Sequence, residues 1–272
     1  MFAIFACVVA AFVGGQNAPP VDRGAAQNFV GSTVANTIVD AIEPTTRYII
    51  VAEDHDVDAH RIFSADLLAS ISGRRSVVVG LEAARSHYIL NPEDVVRSGY
   101  LLSDGFNYFF QTAISATIPI FGYDTSHKNY MNDSELAARG LSTRYPNPRD
   151  RKSAETIVAL TEHSTAELVF LHVGFSHASE RWWQNQDGSR GWLAAQLNML
   201  TGTDALTVRL FRGRDLDWYS SRGRLQTDKG RCDLIPEVVT VLQYGRGWMG
   251  CIPKSRVQSA HYTDFIVLIT DP

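Results

Sequence analysis

The sequence predicts an α/β protein of three layers, in which helices cover both faces of a mostly parallel β-sheet. Short runs of apolar residues, typical of strands buried on both faces, alternate along the chain with segments whose apolar residues recur at helical spacing. The first strand, the helix after it and the second strand follow one another within about 35 residues, the length of a βαβ unit.

The first half of the chain alternates helices and strands. The first helix stops before Pro44 and the second stops at Gly73, which are typical helix terminators. The two strands between them are apolar throughout, as parallel strands covered on both faces are. In order, the predicted elements are a helix at 28–43, a strand at 48–52, a helix at 57–72 and a strand at 76–81.

The second half continues the alternation and contains two irregular segments. Residues 125–150 are polar and interrupted by Pro146 and Pro148, which predicts a lid or excursion over a site. Residues 212–236 are rich in Arg, Asp and Gly and predict an insertion. The predicted elements here are helices at 104–116, 151–164 and 189–201, and strands at 118–123, 168–173, 206–210, 238–242 and 265–269.

Length and composition favour one sizeable domain over residues 28–272. The chain has 272 residues, of which 45% are hydrophobic, enough to bury a single large core. Charged residues make up 20% and the net charge is −4, which argues against a nucleic-acid-binding surface. The ordinary apolar content argues against a disordered chain.

The N-terminus predicts an export signal. Residues 1–13 are apolar and are followed by Gly14-Gly15 and Pro19-Pro20. This run is too short to span a bilayer as a helix, and it matches the apolar region of a secretory signal that lacks the basic start. We therefore predict a leader at 1–20, no transmembrane helix and a periplasmic or secreted protein. A buried strand in a cytoplasmic protein is the alternative.

The three cysteines are Cys7, Cys232 and Cys251. Removal of the leader would leave an even pair, because Cys7 lies within it. Cys232 and Cys251 are then either a disulfide across a late loop, as exported proteins often contain, or two unrelated thiols. The sequence leaves both readings open.

Acidic residues and histidines follow four of the predicted strands. Glu53 and His55 come after the first strand, Glu82 after the second, Asp124 after the third and His177 after the fourth. In open α/β sheets the ligand site lies beyond the carboxyl ends of the strands. Charged groups at that edge are partly desolvated and must be paired or ligated. We therefore predict that these side chains converge on one site.

Carboxylates together with imidazoles suit Zn, Mn, Fe or Co as ligands. Such a metal would generate a nucleophilic hydroxide from bound water, and a remaining carboxylate could act as general base. We predict a catalytic set of Glu53, His55, Glu82 and His177. Within it, His55, Glu82 and His177 are the predicted metal ligands, with Glu53 and His60 as further candidates. No His-Glu-x-x-His or Cys-x-x-Cys spacing supports the metal independently.

Four other residues have two interpretations each. Arg85 and Asp124 are predicted to bind substrate, although Arg85 can equally be an exposed arginine and Asp124 a turn cap. His60 lies on a helix and either joins the site or faces solvent. His172, inside a strand, is expected to be a core histidine or to orient a ligand.

The aromatic residues after the fourth strand have two interpretations, and the signatures of two other enzyme classes are missing. Trp182-Trp183, with Tyr130 and Tyr145, either line a substrate groove or pack a helix onto the sheet. Ser176 lacks the flanking glycine of a nucleophile elbow, which argues against a serine hydrolase. No glycine-rich phosphate-binding signature occurs, so no nucleotide cofactor is predicted.

Three segments in order resemble motifs of the superfamily that contains the ChaN-like, Tiki/TraB and erythromycin-esterase proteins. Residues 50–56 with His60 resemble the first motif, residues 78–82 the second and residues 172–178 the third, a Gly-x-x-His. Their order and spacing agree along residues 48–210, and Asp124 also fits a strand-terminal acid of such proteins.

The resemblance implies a three-layer α/β fold and places Glu53 and His55 in the first motif, Glu82 in the second and His177 in the third. Tiki-like members are metal-dependent peptidases, erythromycin-esterase members open lactones and ChaN-like members bind haem iron. One position departs from the pattern, because Ala52 stands where the first motif usually has glycine. Alanine would deny a positive-φ backbone at that position.

Three functions are therefore expected from the sequence. The first is a metal-dependent hydrolase acting on a peptide, ester or lactone bond. The second is a haem- or iron-binding protein without catalysis, and the third is a catalytically silent interaction domain. The sequence leaves the substrate, the metal and the oligomeric state open.

Overall fold

A computed structural model describes the parts of the chain that position the site. The described residues are 25–82, 84, 88–97, 99–124, 148–180, 182–185, 188–212, 238–244, 248–253 and 263–269. The predicted leader, Arg85, Tyr130, Tyr145, Cys232 and nearly all of the predicted insertion at 212–236 lie outside them. Among the described residues, no helix is both long enough and apolar enough to cross a membrane.

Five α-helices, ten strands and two short 3-10 helices, Pro92–Asp94 and Gly99–Leu102, make up the regular structure of these residues. The helices are α1 (Ala25–Asp40), α2 (Asp58–Ser72), α3 (Asp104–Ser115), α4 (Pro148–Thr161) and α5 (Leu193–Thr201). The strands are β1 (Tyr48–Glu53), β2 (Val77–Leu81), β3 (Ile120–Gly122), β4 (Leu168–Gly174), β5 (Trp182–Asn185), β6 (Gly188–Gly191), β7 (Leu206–Arg212), β8 (Val238–Tyr244), β9 (Trp248–Pro253) and β10 (Phe265–Ile269).

Eight of the strands form one sheet in the order β3-β2-β4-β1-β7-β10-β8-β9. All neighbours in it are parallel except β8 and β9, which pair antiparallel at one edge. The predicted α/β class with a mostly parallel sheet is therefore confirmed. Because β1 lies between β4 and β7, its carboxyl end is flanked by the ends of both neighbours.

Two apolar clusters, one on each face of the sheet, produce the three layers. On one face, residues of α1, α2 and α3 pack on alternate residues of the strands, such as Ile49 and Val51 of β1. On the other face, residues of α4 and α5 pack on the intervening residues, Ile50 and Ala52. A strand must be apolar at every position to contribute side chains to both clusters, which explains the continuous apolar runs in the sequence.

The structure corrects the starts of two predicted helices and contains one strand that the sequence did not predict. Helix α4 begins at Pro148, not at 151, so the end of the predicted lid at 125–150 belongs to a helix. The predicted helix at 189–201 begins only at Leu193, because β5, which includes Trp182 and Trp183, pairs antiparallel with β6 over Gly188–Gly191. Strand β9, the antiparallel partner of β8, was not predicted at all and contains Cys251.

Candidate functional site

Glu53 is the last residue of β1, and its side chain is fully buried. Its carboxylate lies 3.1 Å from Arg61 Nε and 3.5 Å from His172 Nε2. Burial alone would raise the pKa of Glu53, but His172, the hydrogen bond with His55 and the charge of Arg61 outweigh it and lower the pKa. Since burial lowers the pKa of His172 and favours its neutral form, Arg61 supplies the permanent positive charge.

Arg61, in the first turn of α2, ties this carboxylate to its surroundings. Its Nη1 donates to Asp58 Oδ1 at 2.7 Å and to Ser103 Oγ at 3.0 Å, and its Nη2 donates to the carbonyl oxygen of His55. The guanidinium carbon lies 4.7 Å from the centre of the Phe106 ring. One buried arginine therefore fixes both the Glu53 side chain and the backbone that carries His55.

His55 stands at the mouth of the site. Its Nδ1 lies 3.1 Å from Glu53 Oε1, and 49% of its side chain is exposed to solvent. The hydrogen bond with Glu53 raises the pKa of His55 above its usual value of 6.5, although partial burial opposes the shift. Glu53 and His55 thus form a dyad with one end buried and the other open to solvent.

Glu82, directly after β2, accepts two hydrogen bonds and forms an ion pair with His177. Its Oε1 lies 2.5 Å from Arg149 Nη2 and 3.4 Å from His177 Nε2, and its Oε2 accepts the Gly174 N–H at 2.6 Å. Arg149 also donates to both oxygens of Asp124, at 2.9 and 2.8 Å. Burial would raise the pKa of Glu82, but His177, Arg149 and the Gly174 N–H lower it well below its usual range. Glu82 is therefore ionised.

His177 lies between two carboxylates. Its Nδ1 is 2.5 Å from Asp150 Oδ1 in the first turn of α4, while its Nε2 faces Glu82. Burial alone would lower its pKa, but the charges of Asp150 and Glu82 raise the pKa of His177 to about 10. At neutral pH this imidazole carries a positive charge.

Gly174 lies between the Glu53–His55 dyad and the ion pair of Glu82 with His177. It is the last residue of β4 and is the register partner of Glu53 on β1. The position that a Cβ would take on Gly174 lies 2.8 Å from His55 Nε2 and 3.3 Å from Glu82 Oε2. His55 Nε2 and the buried Glu82 carboxylate therefore both lie beside Gly174, and the structure places Glu53, His55, Glu82 and His177 at one edge of the sheet.

Replacement of Gly174 by alanine should lower the hydrolytic activity that the sequence predicts, without unfolding the protein. The added methyl group meets the end of the His55 side chain, which can rotate away, so we expect the cost in stability to stay below about 1 kcal/mol. We expect kcat/KM to fall by about 100-fold, because His55 leaves its position opposite Glu82. Gly73→Ala is the matched control, since its Cβ would meet atoms only at 3.7 Å and beyond. Equal kcat/KM values for the two variants would contradict the geometry.

Two other histidines near the site, His60 and His172, are buried and contact neighbouring parts of the protein. The Nδ1 of His60 accepts the backbone N–H of Asp54 at 3.1 Å, and burial lowers the pKa of His60 to about 4, so this fully buried side chain is neutral. His172 packs against the rings of Phe106 and Phe109, with centroid distances of 5.2 and 5.5 Å. His60 anchors the loop before α2, and His172 lies beneath Glu53.

Three residues of the site were missed by the sequence reasoning, namely Arg61, Arg149 and Asp150. Arg149 and Asp150 fall in the predicted lid, but proline is a favoured first residue of helices, so Pro148 could have placed the helix start earlier. Arg61 carries no local signal, because its surroundings resemble those of any charged residue on a helix. Predicted Arg85 lies outside the described residues, and predicted Asp124 is held by Arg149.

Ala52 fits the strand without strain. It is fully buried on the α4–α5 face and pairs in regular register with Val173 and Arg209. Thr117 is the only non-glycine residue with positive φ among the described residues, so position 52 does not use the backbone conformation that glycine favours. Alanine is therefore compatible with the observed placement of His55.

The arrangement does not fit a metal held by His55, Glu82 and His177. Among the described residues, no group of three or more His, Cys, Asp or Glu side chains is placed to hold a metal ion. Both ring nitrogens of His177 face carboxylates, and a histidine ligand must instead offer a lone pair. The donors that the sequence suggested for a metal are used here for ion pairs within the protein.

No protein-family model matches the sequence, and no curated protein matches it. Several solved structures have distant similarity. A structure of cofacial haem binding to ChaN of Campylobacter jejuni is 15% identical over 65% of this chain and 85% of that chain, with a TM-score of 0.40. The type III effector HopBA1 is 9% identical over 89% and 93%, with a TM-score of 0.44.

A structure of bacterial protein toxins is 14% identical over 68% of this chain, with a TM-score of 0.43. This chain spans only 38% of the length of that toxin chain. At identities of 15% or less and TM-scores below 0.5, these similarities assign no function to the chain.

Proposed function

We propose that the protein is a hydrolase in which His55 is the general base that activates water against the carbonyl carbon of a peptide, ester or lactone. One observation carries the proposal. The Nδ1 of His55 is hydrogen-bonded to a buried carboxylate at 3.1 Å, while its ring is half exposed and its Nε2 faces the space beside Glu82. A histidine that is oriented by a carboxylate and partly exposed to solvent is the usual arrangement for activating a nucleophile.

His55 is a better base than either glutamate. The pKa values of Glu53 and Glu82 are both lowered by their partners, and a weaker base removes a proton from water less readily. The pKa of His55 is instead raised, which makes its neutral form a stronger base. In this proposal Glu53 orients His55, whereas the ion pair of Glu82 with the cationic His177 fixes the wall of the site beside Gly174.

The pH dependence of the reaction follows from the same contacts. The base must be deprotonated, so the rate should rise with pH and reach half of its plateau above pH 6.5, because the pKa of His55 is raised from that value. A metal-dependent form of the reaction would need His177 to lose its proton and one carboxylate contact. Treatment with a chelator separates the two forms, since only the metal-dependent one loses its rate.

His55→Gln tests the proposal. We expect the rate of hydrolysis of a panel of 4-nitrophenyl esters, lactones and peptide anilides to fall by about 10²- to 10⁴-fold, because the general base is lost. His163→Gln is the matched control, since His163 is an exposed histidine beyond α4. A His55→Gln variant as active as the control would end the proposal.

Haem binding is the second candidate, and the same half-exposed imidazole favours it. Histidine ligands of metals commonly hydrogen-bond a carboxylate through the other ring nitrogen, as His55 does with Glu53. Titration with hemin should then shift and sharpen the Soret band of hemin in the control variant and leave it as that of free hemin in His55→Gln. A protein that neither hydrolyses the panel nor binds hemin would leave the silent interaction domain as the remaining function.

Export stays a prediction from the first 20 residues.

A further inference from the structure

Arg209 is a charged residue in the middle of the sheet. It belongs to β7, beside Ala52 of β1, and its side chain is fully buried. It ranks among the largest fully buried side chains of the described residues. Its position is unlike that of Arg61 and Arg149, because it contacts neither Glu53 nor Glu82 in any described hydrogen bond or ion pair.

Arg209 holds one residue of the loop after β4 by two different contacts. Its Nη2 donates to the carbonyl oxygen of Phe175 at 2.8 Å. Its guanidinium carbon lies 3.6 Å from the centre of the Phe175 ring, so the cation stacks on the aromatic face. The same ring meets the ring of Phe211 edge-on, with centroids 5.0 Å apart. Backbone and side chain of Phe175 are thus fixed together.

A buried arginine at this position has a large desolvation cost. Removing a guanidinium from water costs several kcal/mol, and apolar side chains of similar volume often stabilise a protein at least as well. Arginine is distinguished by a planar group that can donate a hydrogen bond and stack on a ring at the same time. The contacts with Phe175 use both properties, which indicates that Arg209 fixes the position of Phe175.

Phe175 lies between two residues of the site. Gly174 precedes it, donates its N–H to Glu82 at 2.6 Å and has its Cα against the His55 ring. His177 follows two residues later; its N–H donates to the Gly174 carbonyl at 3.1 Å, and its own carbonyl accepts from Ala194. A shift of Phe175 would therefore move Gly174 and His177 together.

We propose that Arg209 is a positioning residue, which holds Phe175 so that Gly174 and His177 keep their places beside Glu82 and His55. The effect on catalysis rests on the proposed hydrolase function, but the effect on geometry does not. The Gly174 N–H reports that geometry directly, because a short hydrogen bond to a carboxylate shifts an amide proton strongly downfield. Its resonance is visible in protein labelled with ¹⁵N-glycine, without any substrate.

The test compares Arg209→Met and Arg209→Lys with Arg47→Met. Arg47 is the matched control, because it also donates to backbone carbonyls, those of Thr161 and Ala166, but away from the site residues. In Arg209→Met we expect the Gly174 amide proton to move upfield and kcat to fall by about 10- to 100-fold, with a smaller change in KM. Arg209→Lys retains the charge over the ring and should recover part of both. Arg47→Met should leave both unchanged even if it lowers stability.

An unchanged Gly174 resonance in Arg209→Met would overturn the proposal. A moved resonance in a protein without hydrolytic activity would support the positioning role and reject the hydrolase instead. If Arg209→Met does not fold, Phe175→Leu removes the stacked ring and should move the Gly174 resonance in the same direction. A Phe175→Leu protein with the resonance in its original place would then contradict the proposal.

Discussion

Replacing Glu53 with glutamine should destabilise the protein by about 3 kcal/mol, because it leaves the buried Arg61 with a neutral neighbour in place of a carboxylate. The loss falls at the lower end of the usual range, since Asp58 still contacts the guanidinium at 2.7 Å. Urea unfolding at pH 7 measures the difference in the free energy of unfolding. Hydrolysis should be lost as well, because His55 loses the carboxylate that orients its ring.

Asp40→Asn is the matched control for this ion pair. Asp40 and Arg74 form a close pair at 2.5 Å, but both side chains are about half exposed or more. Exposed pairs contribute little, so this variant should cost less than about 1 kcal/mol. A Glu53→Gln variant no less stable than Asp40→Asn would contradict the buried pair.

The double variant Glu53→Met with Arg61→Met separates stability from function. It removes both buried charges and fills their space with apolar atoms, so we expect most of the lost stability to return. Activity should not return, because no group orients His55. Recovery of hydrolysis in the double variant would show that the carboxylate does not serve the reaction.

The stability of the protein should fall as the pH rises from 6.5 towards 10. The pKa of His177 is raised to about 10 in the folded protein, against 6.5 for an ordinary histidine. A raised pKa means that the folded state binds the proton more tightly. The stabilisation is therefore fully present below pH 6.5, declines above it and is lost once the pH passes the folded pKa. Urea unfolding at pH 6, 8 and 10 measures the decline.

Asp150→Asn should remove most of this decline. The carboxylate of Asp150, 2.5 Å from His177 Nδ1, is a main cause of the raised pKa. Without it the pKa of His177 falls, so the variant should be markedly less stable than the wild type at pH 6 and similar to it at pH 10. His163→Gln, at an exposed position, should keep the wild-type pH dependence. Parallel curves for Asp150→Asn and the wild type would refute the role of this ion pair.

Much of the fold was predictable because its signals are local. The continuous apolar runs at 48–52 and 265–269 predict strands that the structure contains, and the Gly73 stop marks the end of α2. The hairpin of β5 and β6 was missed because its sequence lacks the alternation of apolar and polar residues that identifies such strands. Strand β9 was missed because it follows a segment with few periodic signals.

The candidate site was predictable in its strand-end residues and unpredictable in their partners. The sequence suggested a metal because carboxylates and imidazoles share one edge of the sheet. In the structure these side chains form ion pairs instead, Glu53 with Arg61, Glu82 with Arg149 and His177 with Asp150. Arg149 and Asp150 reach the site from a helix on the other side of a long polar segment. No pattern near Glu82 or His177 indicates that these two residues will be close.

By itself, the sequence determined the α/β class. It also determined that Glu53, His55, Glu82 and His177 lie at one edge of the sheet, because the carboxyl ends of parallel strands share that edge. Only the tertiary structure decided their charges. An isolated histidine or glutamate has an ordinary pKa, and the shifts of His55, Glu82 and His177 arise from burial and from partners on other elements. Electrostatic energies depend on distances of a few ångströms, which packing alone sets.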